Sequence, residues 1–173
     1  MDIMCGYVII VNILVSHINK RYMDWNYIAG FFDGEGSICH NGKGYRITIA
    51  QTNYPVLAGI VTFSGVGGVI KVTKRKKHWK DSWVYYIASQ KDVYFFLQNI
   101  KPLLIVKREL AERVFVFLAK YLKEKKLHEK IMEEKVAIAE KMRVKEYTYR
   151  EIGKKINLDW SYVRRILMKR GIY

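Results

Sequence analysis

The chain is short of cysteine, short of acids, and carries no internal repeat. Its two cysteines, Cys5 and Cys39, form no metal-binding spacing and imply no disulfide framework, so a reducing compartment is the simpler reading. No apolar run is long enough to cross a bilayer. The segment IMCGYVIIVNILV at 3–15 is too short and too interrupted, and no basic residue precedes it as in a signal peptide. It reads as a buried N-terminal strand or helix. No membrane partner is expected, and with no targeting signal the protein reads as intracellular. Acids are outnumbered: 16 Asp and Glu face 31 Lys and Arg, a formal net charge of +15. A field of that size favours a polyanion, with nucleic acid the first expectation. Half of the residues are hydrophobic, which excludes a disordered basic tail.

The charge is uneven. Up to residue 40, Lys20 and Arg21 stand against Asp2, Asp24, Asp33 and Glu35, so the positive charge lies downstream. Its densest part is KVTKRKKHWK at 71–80, which supplies Lys71, Lys74, Arg75, Lys76, Lys77 and Lys80.

Hydrophobic periodicity gives the element order. DWNYIAGFFDG predicts a helix over Trp25–Asp33 with Asp24 as N-cap. SICH and YRITIAQ predict strands joined by the hairpin signal NGKG at 41–44. YPVLAGIVTF predicts a helix, GVGGVIKV and WVYYIAS two further strands, and KDVYFFLQNI a helix ended by Pro102. VKRELAERVFVFLAKYLKE predicts a long amphipathic helix. The order αββαββα implies an α+β domain with an antiparallel sheet and helices on one face. Lys43, Arg46, Thr48, Lys71, Thr73, Arg75 and Tyr85 are the expected residues of the open face, which a DNA major groove admits as a β-ribbon.

Four segments follow from this: an N-terminal extension at 1–24, the α+β domain at 25–122, a charged helical connector at 123–145 and a tail at 146–173. The tail splits into two short helices around NLDW. Ile152, Ile156, Leu158, Val163, Ile166 and Leu167 predict its small core. Arg164, Arg165 and Lys169 predict the solvent face of a helix-turn-helix, whose second helix enters the major groove.

The stretch YIAGFFDGEG at 27–36 poses the functional question. A helix ends in partial negative charge, yet Asp33 and Glu35 sit where this one must stop. Ala29, Gly30 and Gly34 leave a bare stripe, and such stripes let two helix backbones approach closely. The same helix from a second chain, across a twofold axis, is the expected partner. Ala29, Gly30, Phe31 and Gly34 are then the dimer contact. Two helix ends and two glutamates would converge, and divalent cations would neutralise them. Mg²⁺ suits a carboxylate site shared with substrate phosphates, with Mn²⁺ or Ca²⁺ as other occupants.

IAGFFDGEG resembles the signature motif of LAGLIDADG homing endonucleases, and the downstream element order resembles theirs to about Tyr121. One copy of the motif resembles the homodimeric members. The resemblance implies a metal-dependent endonuclease that cuts both strands of a long, nearly palindromic DNA site and is encoded in an intron. It implies Glu35 as metal ligand in place of the motif's last acid, Asp33 and Gly34 as helix-tip support, and Gln51 and Lys107 as further active-site residues. A third basic residue of some relatives has no obvious counterpart in QTNYP. Two other functions share this fold: a DNA-binding transcription regulator, and a maturase that binds intron RNA.

Overall fold

The computed structural model describes residues 23–40, 42, 44–74, 76 and 78–173. The N-terminal apolar segment, Lys43, Arg75 and Lys77 lie outside the described residues. Asp24 is extended and its carboxylate accepts the Tyr27 N–H at 2.7 Å, which starts helix α1, Trp25–Glu35. α1 runs two residues past the expected Asp33, so both acids belong to its last turn. Strand β1, Gly36–His40, follows without a loop. Gly36 is required there, because an added Cβ would land inside the Phe32 ring.

β2 is Tyr45–Gln51, α2 is Tyr54–Ser64, β3 is Gly68–Lys71, β4 is Trp83–Ile87 and α3 is Gln90–Ile100. Asn53 and Ser89 cap α2 and α3 through their side chains. A 3₁₀ turn, Lys101–Leu103, leads to helix α4, Arg108–Val144. Two short helices follow, α5 at Tyr149–Ile156 and α6 at Trp160–Lys169. The protein is α+β, and its four strands form one antiparallel sheet in the order β1-β2-β4-β3.

Strand parity divides the sheet into two faces. Ile47 and Ile49 of β2 and Tyr85 and Ile87 of β4 are buried in a core with Ile28, Phe32, Leu57, Ile60, Val93 and Phe96 from the first three helices. Arg46, Ala50 and Tyr86 alternate with them and are exposed. Two expected open-face residues are corrected here. Tyr85 pairs with Ile49 and Val69 on the core side. It is fully buried, its hydroxyl donates to the Val66 carbonyl at 3.0 Å, and burial pushes the phenol up to about 12. Lys71, the last residue of β3, pairs with Trp83 and shares that parity, but its side chain stays exposed. WVYYI offers aromatic side chains at both parities, so only pairing decides which face each takes. Tyr86, opposite Thr48, is the outward tyrosine.

The hairpin end of β2 is held by a side chain acting as a strand. The Gln90 amide accepts the Tyr45 N–H at 2.8 Å and donates to the Tyr45 carbonyl at 2.8 Å. Gly44 lies against that amide, with no room for a Cβ.

The described chain divides into two compact units between Lys120 and Tyr121. In the second, residues 123–145 are helical to Val144 and are more than a connector. They bring Ala139 and Met142 to a core with Ile152, Ile156, Val163 and Leu167. Thr148 and Glu151 form a capping box at the start of α5. Asn157 ends α5 at φ 52°. An added Cβ on Gly153 would meet the Leu158 carbonyl at 2.6 Å, so the turn between the helices needs glycine there. Arg170 binds Glu133 at 2.8 and 2.9 Å and Glu140 at 2.9 Å.

Candidate active site and nucleic-acid interface

The two acids at the tip of α1 have opposite surroundings. The Asp33 carboxylate accepts three successive backbone N–H groups, from Ile105 at 2.6 Å, Val106 at 3.2 Å and Lys107 at 2.9 Å. These groups precede α4, whose first turn is joined to Lys107 by the Ala111 N–H at 2.9 Å. In return the Lys107 ammonium donates to the Phe32 carbonyl at 3.2 Å and to the Asp33 carbonyl. A cation thus meets the negative end of α1 and a carboxylate meets N–H groups leading into α4, the signs each favours. Desolvation alone would raise the Asp33 pKa. The bonds from Ile105, Lys107 and Val106 and the Lys107 charge outweigh it, and the carboxyl is held below its ordinary 3.8. Asp33 is thus satisfied within its own chain.

Glu35 has no such partner. It is exposed, and among the described residues it makes no hydrogen bond or ion pair. Gln51 lies at the same end of the sheet. Gly36 pairs with Ile49, so the antiparallel register carries β2 back past the start of β1 to Gln51. The Gln51 amide oxygen accepts the Thr52 N–H at 2.8 Å and the Thr52 hydroxyl at 3.3 Å, which leaves its NH₂ free to donate. Glu35, Gln51 and Lys107 therefore share the C-terminal end of α1.

The bare stripe is narrower than expected. Ala29 is fully buried in the core of its own chain, so it is not part of an exposed contact. Gly30 and Gly34 are exposed, and a Cβ on either would meet nothing within 4 Å. Phe31 is half-buried and stacks on Tyr27, ring centroids 5.9 Å apart.

The basic residues are spread around this end and beyond. Arg46 and Thr48 lie on the open sheet face. Lys71 at the end of β3 and Lys74 in the connection after it both pair with Asp81, at 3.1 and 2.8 Å, so part of that run is already neutralised. Lys76 lies 6.0 Å from the Trp79 ring centroid, and Lys80 is exposed. In the second unit Arg164, Arg165 and Lys169 are exposed on α6. Residues 24–101 match the family model of the LAGLIDADG-like domain. The first unit contains a LAGLIDADG-like domain.

Solved structures of LAGLIDADG proteins superpose on the chain at low identity. The homing endonuclease I-CvuI, in complex with its target, is 19% identical, with a TM-score of 0.46 over 86% of this chain and 95% of that one. The archaeal intron-encoded I-Vdi141I, complexed with DNA, is 19% identical, with 0.45 over 84% and 94%. The homing endonuclease I-TnaI is 18% identical, with 0.46 over 85% and 97%. No curated protein matches the sequence.

Sequence reasoning missed the partners of Asp33, because backbone N–H groups 72 to 74 residues away leave no side-chain signal. It also missed Gln90, whose work is done by an amide copying a strand. Among the described residues no group of three His, Cys, Asp or Glu is placed to hold a metal, and no helix is long and apolar enough to cross a membrane.

Proposed function

We propose that the protein is a homing endonuclease that hydrolyses both strands of a long DNA site as a homodimer. The observation that carries this reading is the contrast at the tip of α1. Asp33 is satisfied within the chain, whereas Glu35 is exposed and unpartnered beside Gln51 and Lys107. A carboxylate kept bare at a helix C-terminus is unfavourable unless something cationic arrives there.

The donor set fits a hard divalent cation. At the tip of α1 each chain offers one free carboxylate, Glu35, and Mg²⁺ is held by one or two carboxylates together with waters and substrate phosphates. Such an ion supplies a more acidic water and stabilises the leaving oxygen. The chain's own groups do the rest. Gln51 donates its free N–H groups to a phosphate oxygen or to the attacking water. Lys107 has three donors and spends two on carbonyls, which leaves one for phosphate charge. Arg46, Thr48, Lys74, Lys76, Lys80 and their neighbours hold the duplex on the open sheet face, and Arg164, Arg165 and Lys169 extend the footprint as a helix-turn-helix. Single-motif architecture supports the homodimer and the role in spreading an intron.

Cleavage of a randomised duplex library with Mg²⁺ tests the reading. The expected result is one long site cut on both strands, and no cutting after chelation. Tight binding to a discrete site with no cutting under any divalent ion would overturn it in favour of a transcription regulator.

The dimer has its own test. Gly30 has open space around it, so Gly30→Ala should stabilise α1 by about 0.5–1 kcal/mol through helix propensity. The same methyl group would hold two α1 backbones apart. The variant should melt higher as a monomer yet dissociate more readily by sedimentation equilibrium. Unchanged self-association would remove α1 from the interface.

A further inference from the structure

A concave site at the α5–α6 turn has no part in that reaction. A cleft of about 470 Å³ opens there, lined by Arg150, Lys154, Asn157, Leu158, Asp159 and Trp160. Trp160 is the first residue of α6 and keeps 45% of its surface exposed. The Arg150 guanidinium lies 5.7 Å from its ring centroid. Arg150 and Lys154 are one turn apart on α5, so they stand on one side of it.

The acids near this cleft accept hydrogen bonds from their own chain, whereas the cations form no salt bridge: Arg150 lies over the Trp160 ring and Lys154 acts on Glu151 only through its charge. The Asp159 carboxylate accepts the N–H groups of Ser161 at 2.9 Å and Tyr162 at 3.3 Å, and the Ser161 hydroxyl. Glu151 is bound to the Thr148 N–H at 2.8 Å and hydroxyl at 2.7 Å. Among the described residues neither Arg150 nor Lys154 forms a salt bridge. The result is an aromatic wall, two cations and an amide in one hollow.

We infer that this cleft binds an unpaired nucleotide of a nucleic-acid strand, its base against Trp160 and its phosphate at Arg150 and Lys154. A duplex offers only base edges in its grooves. The face of an indole in a hollow is useful only to a base that has left the stack, and such stacking is tolerant of sequence. The Asn157 amide then meets the edge of that base. Of the groups expected to meet a duplex, Arg165 and Lys169 lie on the side of α6 away from the buried Val163 and Leu167, whereas Arg164 stands one turn from Trp160 on its side.

The test uses the full chain and anisotropy of labelled oligodeoxythymidylate, oligouridylate and a blunt duplex. Trp160→Ala should weaken single-strand binding by about tenfold, the scale of one lost stacking contact. Duplex binding and cleavage should stay within about twofold. Trp160→Phe, which keeps a ring, should restore most of the affinity, and this separates stacking from folding. The Trp160→Ala deficit should persist at raised salt, because stacking is not screened as phosphate attraction is. Arg150→Ala with Lys154→Ala should instead flatten the salt dependence for single strands. Preference for uridylate would identify RNA as the source of the strand, and equal binding would mean that either strand serves. Because the readout is binding, failure of the nuclease reading leaves the test intact. Equal single-strand affinity in wild type and Trp160→Ala, or equal loss for single strand and duplex, would overturn the inference.

Discussion

Glu35→Gln should reduce DNA cleavage by about a thousandfold or more, the scale on which loss of one group that stabilises transition-state charge is felt. The amide is nearly the same shape but is a poor ligand for a hard divalent ion. DNA affinity should change little, because the change adds no bulk and removes a negative charge from a site proposed to meet phosphate. Stability should not fall either. Glu35 makes no bond to the described residues and is exposed, and removing a carboxylate from a helix C-terminus gains about 0.3–1 kcal/mol. The variant should therefore melt at or slightly above wild type while losing activity. Supercoiled plasmid carrying the selected site, assayed with a melting curve on the same sample, reads both quantities. A variant that still cuts at near wild-type rate would remove Glu35 from the chemistry, whatever the fate of the dimer.

Asp33→Ala should behave in the opposite way, losing stability first. Three backbone N–H groups lose a charged acceptor, and the Lys107 ammonium loses a neighbouring charge. Hydrogen bonds to charged groups contribute about 1.5–3 kcal/mol each, but this carboxylate is only partly buried, so a total near 3 kcal/mol is expected. Asp33→Asn keeps one acceptor oxygen and should lose less. The effect has a pH signature. The folded-state pKa of Asp33 lies below its ordinary 3.8, so its contribution is complete above that value and fades as pH falls through the folded pKa. The gap in melting temperature between wild type and Asp33→Ala should be widest near neutrality and should close in acid. A gap that is constant across this range would mean that the carboxylate's charge is not what holds residues 105–107.

Much of this molecule is legible from local pattern. Alternating Ile47 and Ile49, the Asn-Gly pair in the β1–β2 connection and the capping residues Asp24, Asn53, Ser89 and Thr148 each announce an element through short-range chemistry. Pattern fails where two parities look alike. WVYYI carries bulky side chains on both faces, and only the Ile49–Tyr85 pairing reveals which tyrosine is buried. It fails again at Ala29, since small residues on a helix read as a bare stripe whether the core or the outside lies against them. The motif draws attention to Asp33 and Glu35 together, but their difference is set by backbone groups remote in sequence. What separates a structural acid from an available one is who else is present, and residue type does not encode that.

The bond between Asp33 and the 105–107 segment also bears on where the domain ends. The stretch matched by family likeness closes at Lys101, before the groups that satisfy Asp33 and before Lys107. A fragment cut at that border would keep every strand of the sheet and still leave Asp33 without its donors and the end of α1 without its cation. During synthesis the same order applies. The sheet can form as soon as β4 is available, but the tip of α1 is finished only when residues 105–107 have left the ribosome. The tip of α1, the proposed active site, is thus assembled after the scaffold beneath it, through long-range contacts that close late.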